Sequence, residues 1–166
     1  MESLIRRYKS NLIASGKAAA LFSLWNFAKI FLITAVILYY ILNPEIAASV
    51  GMEMDPVDLE TGDMISIPTI VFVFSILSVA LQLVLGLFAK KQANAASPSM
   101  LFIFLIIAQL VVSLYATLAT PRYDELAAMS AIFLIVNVTS AIAMIVMLYT
   151  SIRLKSLSRT YNLKEV

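Results

Sequence analysis

Neither cysteine nor histidine occurs among the 166 residues. Without cysteine there is no disulfide, no thiolate-bound zinc or iron–sulfur cluster and no thiol nucleophile, and cysteine usage says nothing about redox compartment. Without histidine the usual axial haem ligand, the commonest metal ligand and the commonest general base are missing. Redox, pigment-binding and zinc-hydrolase functions are therefore disfavoured from the outset. Charge is scarce as well. Charged residues make up 13% of the chain and hydrophobic ones 61%, against roughly 25% and 45–50% in soluble domains, and a soluble fold could not hide that much apolar surface.

Recognisable reaction machinery is also missing. The chain has no glycine-rich phosphate loop, no Ser/His/Asp set and no carboxylate pair at metal-ligand spacing. The disulfide motif of claudin-like proteins and the cysteine pairs of quinone-linked disulfide formers have no residues to build them here, and the paired membrane aspartates of lipoprotein signal peptidases are absent too. No enzyme activity and no cofactor or metal is expected.

Four long apolar runs are present: Leu21 to Leu42, Ile65 to Ala89, Met100 to Ala119 and Leu126 to Ile152. Each reaches the ~20 residues that a helix needs to cross ~30 Å of hydrocarbon, whereas barrel strands would be about half as long. The expected fold class is all-α: an integral membrane four-helix bundle forming one domain over residues 1–166. Residues 21–42, 65–89, 100–119 and 126–152 are the expected transmembrane helices. Between them lie an acidic outer loop (43–64), a cytoplasmic loop (90–99) and an outer turn (120–125).

Local signals mark the ends. Ser97-Pro98 and Thr120-Pro121 each place a capping side chain before a proline suited to the first helical position, which predicts tight hairpins. Asp124 and Glu125 follow in the first turn of the fourth helix, where carboxylates suit the positive end of the dipole. Asn43-Pro44-Glu45 through Gly51 reads as a short capped helix. Residues 1–17 carry Leu4, Ile5, Tyr8 and Leu12 at helical spacing, with Arg6, Arg7 and Lys9 on other faces, and this predicts a helix lying in the cytoplasmic membrane interface. The first span lacks a clean cleavage site after it, so the N terminus is expected to be retained. The fourth helix is expected to run past the bilayer through Arg153, Lys155 and Leu157 into a cytoplasmic tail (153–166).

Basic residues set the orientation. Arg6, Arg7, Lys9 and Lys17 precede the first span, Lys90 and Lys91 separate the second and third, and Arg153, Lys155, Arg159 and Lys164 follow the fourth. The other side has Arg122 alone among eight carboxylates, from Glu45 to Glu125. Both termini are thus expected on the cytoplasmic side of a plasma (inner) membrane. The crowded stretch Asp55 to Asp63 does not match an EF-hand loop and reads as a solvated acidic surface. The basic ends are explained by topology and anionic lipid, so nucleic acid is not an expected partner.

Polar residues inside the spans are the candidate functional residues, because an unpaired polar group in hydrocarbon is costly. Ser75, Ser78, Gln82 and Gly86 share one helical face, as do Gln109, Ser113, Ala116 and Thr120, and Ser130, Asn137 and Ala141. Such seams bring helices close and bond them together. The first span has no seam but holds Lys29, with Asn26 one turn away and no carboxylate in any span to pair with it. Its long stem is expected to snorkel to the headgroups, with binding of an anionic lipid or substrate as the other reading. Asn26, Lys29, Gln82, Gln109 and Asn137 form the candidate intramembrane polar site. The function that fits is a small non-enzymatic accessory, scaffold or immunity-type membrane component that binds lipid, another membrane protein or further copies of itself. The alternative is a small transporter or channel, dimeric in one version, with a polar path through the bundle. The absence of intramembrane carboxylates weighs against ion-coupled transport.

Overall fold

A computed structural model describes residues 2–43, 45–46, 63–118 and 127–161. Among them the chain is all-helical, with four helices and no strand: α1 Glu2–Leu42, α2 Asp63–Asn94, α3 Met100–Leu118 and α4 Ala127–Tyr161. The acidic segment from Asp55 to Glu60, the Thr120-Pro121 joint, Asp124, Glu125 and most of the short helix expected between Asn43 and Gly51 lie outside the described residues.

Two stretches, Phe72–Asn94 of α2 and Ala131–Thr160 of α4, are long and apolar enough to cross a membrane, and Met100–Tyr115 of α3 is apolar but shorter. Only 22% and 33% of the two long windows is buried within the chain, whereas the central helix of a soluble fold would be mostly covered.

α1 packs most extensively on α2 and then on α4, and α4 also packs on α3. The sequential pair α2 and α3 makes the least contact of the four, although only residues 95–99 join them. The tight hairpin expected there is a short connection whose two helices touch less than the other packed pairs do. α3 instead turns Phe102, Ile103, Ile106 and Gln109 inward, and Phe102 and Ile106 join the core that Met144 and Met147 of α4 supply. Buried positions recur at spacings of three and four on each helix: Leu12, Ser15, Ala19 and Ser23 on α1, Gln82, Leu85 and Ala89 on α2, and Ser140, Met144, Met147, Ser151 and Leu154 on α4. That period keeps one face of a helix on its neighbours.

α1 and α2 cross where neither carries a side chain. A Cβ built on Gly86 would lie 2.6 Å from the Gly16 carbonyl oxygen and 2.8 Å from the Ala20 nitrogen, and one on Gly16 would collide with the Ala89 Cβ. This is the small-residue contact that lets helix backbones approach.

The interfacial helix expected over residues 1–17 is instead the first part of α1, which runs unbroken for 41 residues. At 1.5 Å per residue that is about 60 Å, twice the hydrocarbon thickness. Three residues of its apolar stripe face protein: Leu12 is fully buried, and Ile5 and Tyr8 pack against the same core, while Leu4 stays exposed. The reason is that α2 and α4 also continue, to Asn94 and Tyr161, and give the stripe a protein surface to cover. Tyr8 meets Tyr149 edge-to-face at 6.2 Å, and Arg153 Nε donates to Tyr149 Oη at 3.2 Å. The loop expected over 90–99 correspondingly shortens, because Ala93 is buried in this helical extension.

α3 starts at Met100, as expected, but its cap lies two residues later than expected. Ser99, not Ser97, is the cap: its Oγ accepts from Phe102 N at 3.2 Å and its carbonyl from Ile103 N at 3.2 Å. Pro98 precedes the cap, and its carbonyl accepts from Lys155 Nζ at 3.1 Å, which ties the connection to α4.

Candidate functional site: a polar layer across four helices

Each helix contributes polar side chains at one level of the bundle. On α1, Asn26 and Lys29 are three residues apart. On α2, Ser78 and Gln82 are four apart, and on α4 Asn137 and Ser140 are three apart, so each pair shares a helix face. α3 supplies Gln109. Gln82, Gln109 and Ser140 are 1% exposed and Asn137 5%, an arrangement tolerated only when the groups find partners.

The partners come from other helices. Gln82 Nε2 donates to Ser140 Oγ at 2.8 Å and to the Ala19 carbonyl at 3.1 Å, while its Oε1 accepts a long bond of 3.5 Å from Asn26 Nδ2. One carboxamide thus joins α1, α2 and α4. Gln109 Nε2 donates to Ser78 Oγ at 3.0 Å, and the Ser78 hydroxyl faces Gln109 Oε1 at 3.4 Å. Lys29 Nζ donates to Asn137 Oδ1 at 3.0 Å and stands 5.5 Å from the centroid of the Phe133 ring.

That last contact overturns the expected snorkelling. The ammonium crosses from α1 to α4, where an amide oxygen and the negative face of an aromatic ring both favour a cation. Of the five candidate residues, Asn26 meets Gln82 and Lys29 meets Asn137, whereas Gln109 pairs with Ser78 in a separate α2–α3 bond. Asn26 Oδ1 is buried and has no hydrogen-bond partner among the described residues.

The seams divide accordingly. Gly86 and Ala141 are buried at helix contacts and Ser75 and Ser113 are half-buried, while Thr120 and the side chains of Ala116 and Ser130 lie outside the described residues. Ser140 was missed from the sequence, although its place one turn after Asn137 was a usable signal. The buried Ser15, Ser23 and Thr150 need no site to explain them, since each hydroxyl bonds to a carbonyl three or four residues earlier in its own helix.

Among the described residues, none is buried on α1 after Ser23, on α2 before Gln82, on α3 after Gln109 or on α4 before Asn137. The side chains that face outward are large and apolar: Phe31 is 72% exposed, Phe74 69%, Leu101 68% and Ile135 64%.

No family model matches the chain, and neither a curated protein nor a solved structure matches it.

Proposed function

We propose that this chain is a small non-enzymatic protein of the plasma membrane, with four membrane helices and both termini in the cytoplasm, which acts by binding another membrane protein or lipid. The observation that carries the reading is an inverted polarity. Gln82, Gln109, Asn137 and Ser140 are buried and bonded across helices, while aromatic and aliphatic side chains on all four helices face outward. Exposed apolar area on this scale is compatible with lipid or a partner and not with water. The uneven division of Lys and Arg supplies the orientation. Within this reading the polar layer fixes the helices in register, so that a fixed apolar surface is presented outward.

Copurification in mild detergent tests it. A stoichiometric membrane-protein partner or a retained lipid is the expected result, and a chain that alkaline carbonate releases from membranes would end the proposal.

A small anion channel or transporter is the second reading, favoured by the Lys29 ammonium in the polar layer. Chloride flux into liposomes separates the two. Flux above that of empty liposomes, abolished by Gln109→Leu or Asn137→Leu, would replace the binding function with transport. Background flux from a folded chain supports the accessory reading.

A further inference from the structure

We propose that a groove between the start of α3 and the last turns of α4 holds the headgroup of one anionic phospholipid. The inference rests on the membrane reading above and names a lipid class and its site. The groove encloses about 470 Å³ and is lined by Met100 and Ile103 of α3 and by Ile152, Lys155, Ser156, Arg159 and Thr160 of α4, a size that suits a small-molecule site.

Its chemistry changes along α4. Ile152 is 48% exposed and Met100 61%, and together they form an apolar wall on the side of the membrane-crossing segments. Lys155 and Ser156 follow one turn later and Arg159 and Thr160 two turns later, about 10 Å along the axis from Ile152. Two cations and two hydroxyls thus stand directly beyond an apolar wall. A phosphodiester with acyl chains matches that order: the phosphate takes the Lys155 and Arg159 donors and the chains lie along Met100 and Ile152.

Lys155 is held in place for this role, since one of its three N–H groups is committed to the Pro98 carbonyl and two remain for an anion. Among the described residues no carboxylate lines the groove. A second basic hollow, lined by Arg6, Lys9, Ser10, Ile13, Ala14 and Lys17 of α1, has charge without an equivalent wall, because half-buried Ile13 and the small Ala14 are its only apolar residues. Free phosphate would be held by charge in either place. The wall selects a lipid for the α3–α4 groove.

Native mass spectrometry of the full chain, with phosphatidylglycerol and phosphatidylcholine of matched acyl chains, tests the assignment. One phosphatidylglycerol should be retained in preference. Lys155→Gln with Arg159→Gln should weaken its retention about 30-fold, or about fivefold for each basic side chain. Arg159→Gln alone leaves the Lys155–Pro98 bond intact and should give the fivefold loss with an unchanged melting temperature. Lys9→Gln with Lys17→Gln should leave retention unchanged, and millimolar glycerol 3-phosphate should not displace the lipid.

Undiminished retention in Arg159→Gln, equal loss in the α1 variant, or displacement by glycerol phosphate would each overturn the proposal. A chain that stays in carbonate-washed membranes while giving one of those results would leave the membrane reading standing and remove only this site.

Discussion

Lys29 of α1 donates to Asn137 of α4 across 3.0 Å, joining two helices that lie 108 residues apart in sequence. The amide oxygen and the Phe133 ring both meet the ammonium. Removing one partner leaves the other without its bond, so the two substitutions should not be additive. Asn137→Leu is expected to destabilise the bundle by about 1–2 kcal/mol. Lys29→Met in that background should restore part of the loss, and a thermal double-mutant cycle in detergent showing strict additivity would contradict the pairing.

Gln82 uses its whole carboxamide, with two donated bonds and one accepted. Gln82→Leu should cost more than Ser140→Ala, because Leu orphans partners on both α1 and α4 whereas Ala removes a single bond. The expected costs are about 2 and about 1 kcal/mol. Equal melting temperatures for the two variants would show that Gln82 is not the hub.

The Gly16–Gly86 crossing leaves no room for a side chain, and the two atoms nearest a Cβ on Gly86 are backbone, the Gly16 carbonyl oxygen and the Ala20 nitrogen. Gly86→Val should destabilise by at least about 2 kcal/mol, while Val84→Ala on the outward face should stay within about 0.5 kcal/mol. Comparable melting curves would mean that the helices separate at little cost.

The cap of α3 separates two serines two residues apart. Ser99→Ala removes the acceptor for Phe102 N and should cost about 1 kcal/mol, whereas Ser97→Ala should be near neutral. Denaturation in a detergent–SDS series measures both.

Orientation can be read chemically, because the chain has no native cysteine. A single cysteine at Ser49 should react with an impermeant reagent from outside intact cells. One at Asn94 should react only after permeabilisation, and the reverse pattern would invert the proposed topology.

The sequence by itself determined the helical class and the start of α3, but not that α1 begins at Glu2 or that α2 runs to Asn94. Within a bilayer, apolar runs of ~20 residues with charge at their edges would leave the backbone no other way to satisfy its hydrogen bonds. It also determined that Gln82, Gln109 and Asn137 must find partners, since polar amides at those positions are too costly to leave alone. The tertiary structure decided which partners they found. Whether Lys29 runs along its own helix to the headgroups or crosses to α4 depends on what stands opposite, and one helix cannot specify that. The same holds for residues 1–17. Their apolar stripe is a property of the sequence, but whether it lies on lipid or on protein is settled by how far α2 and α4 extend to meet it.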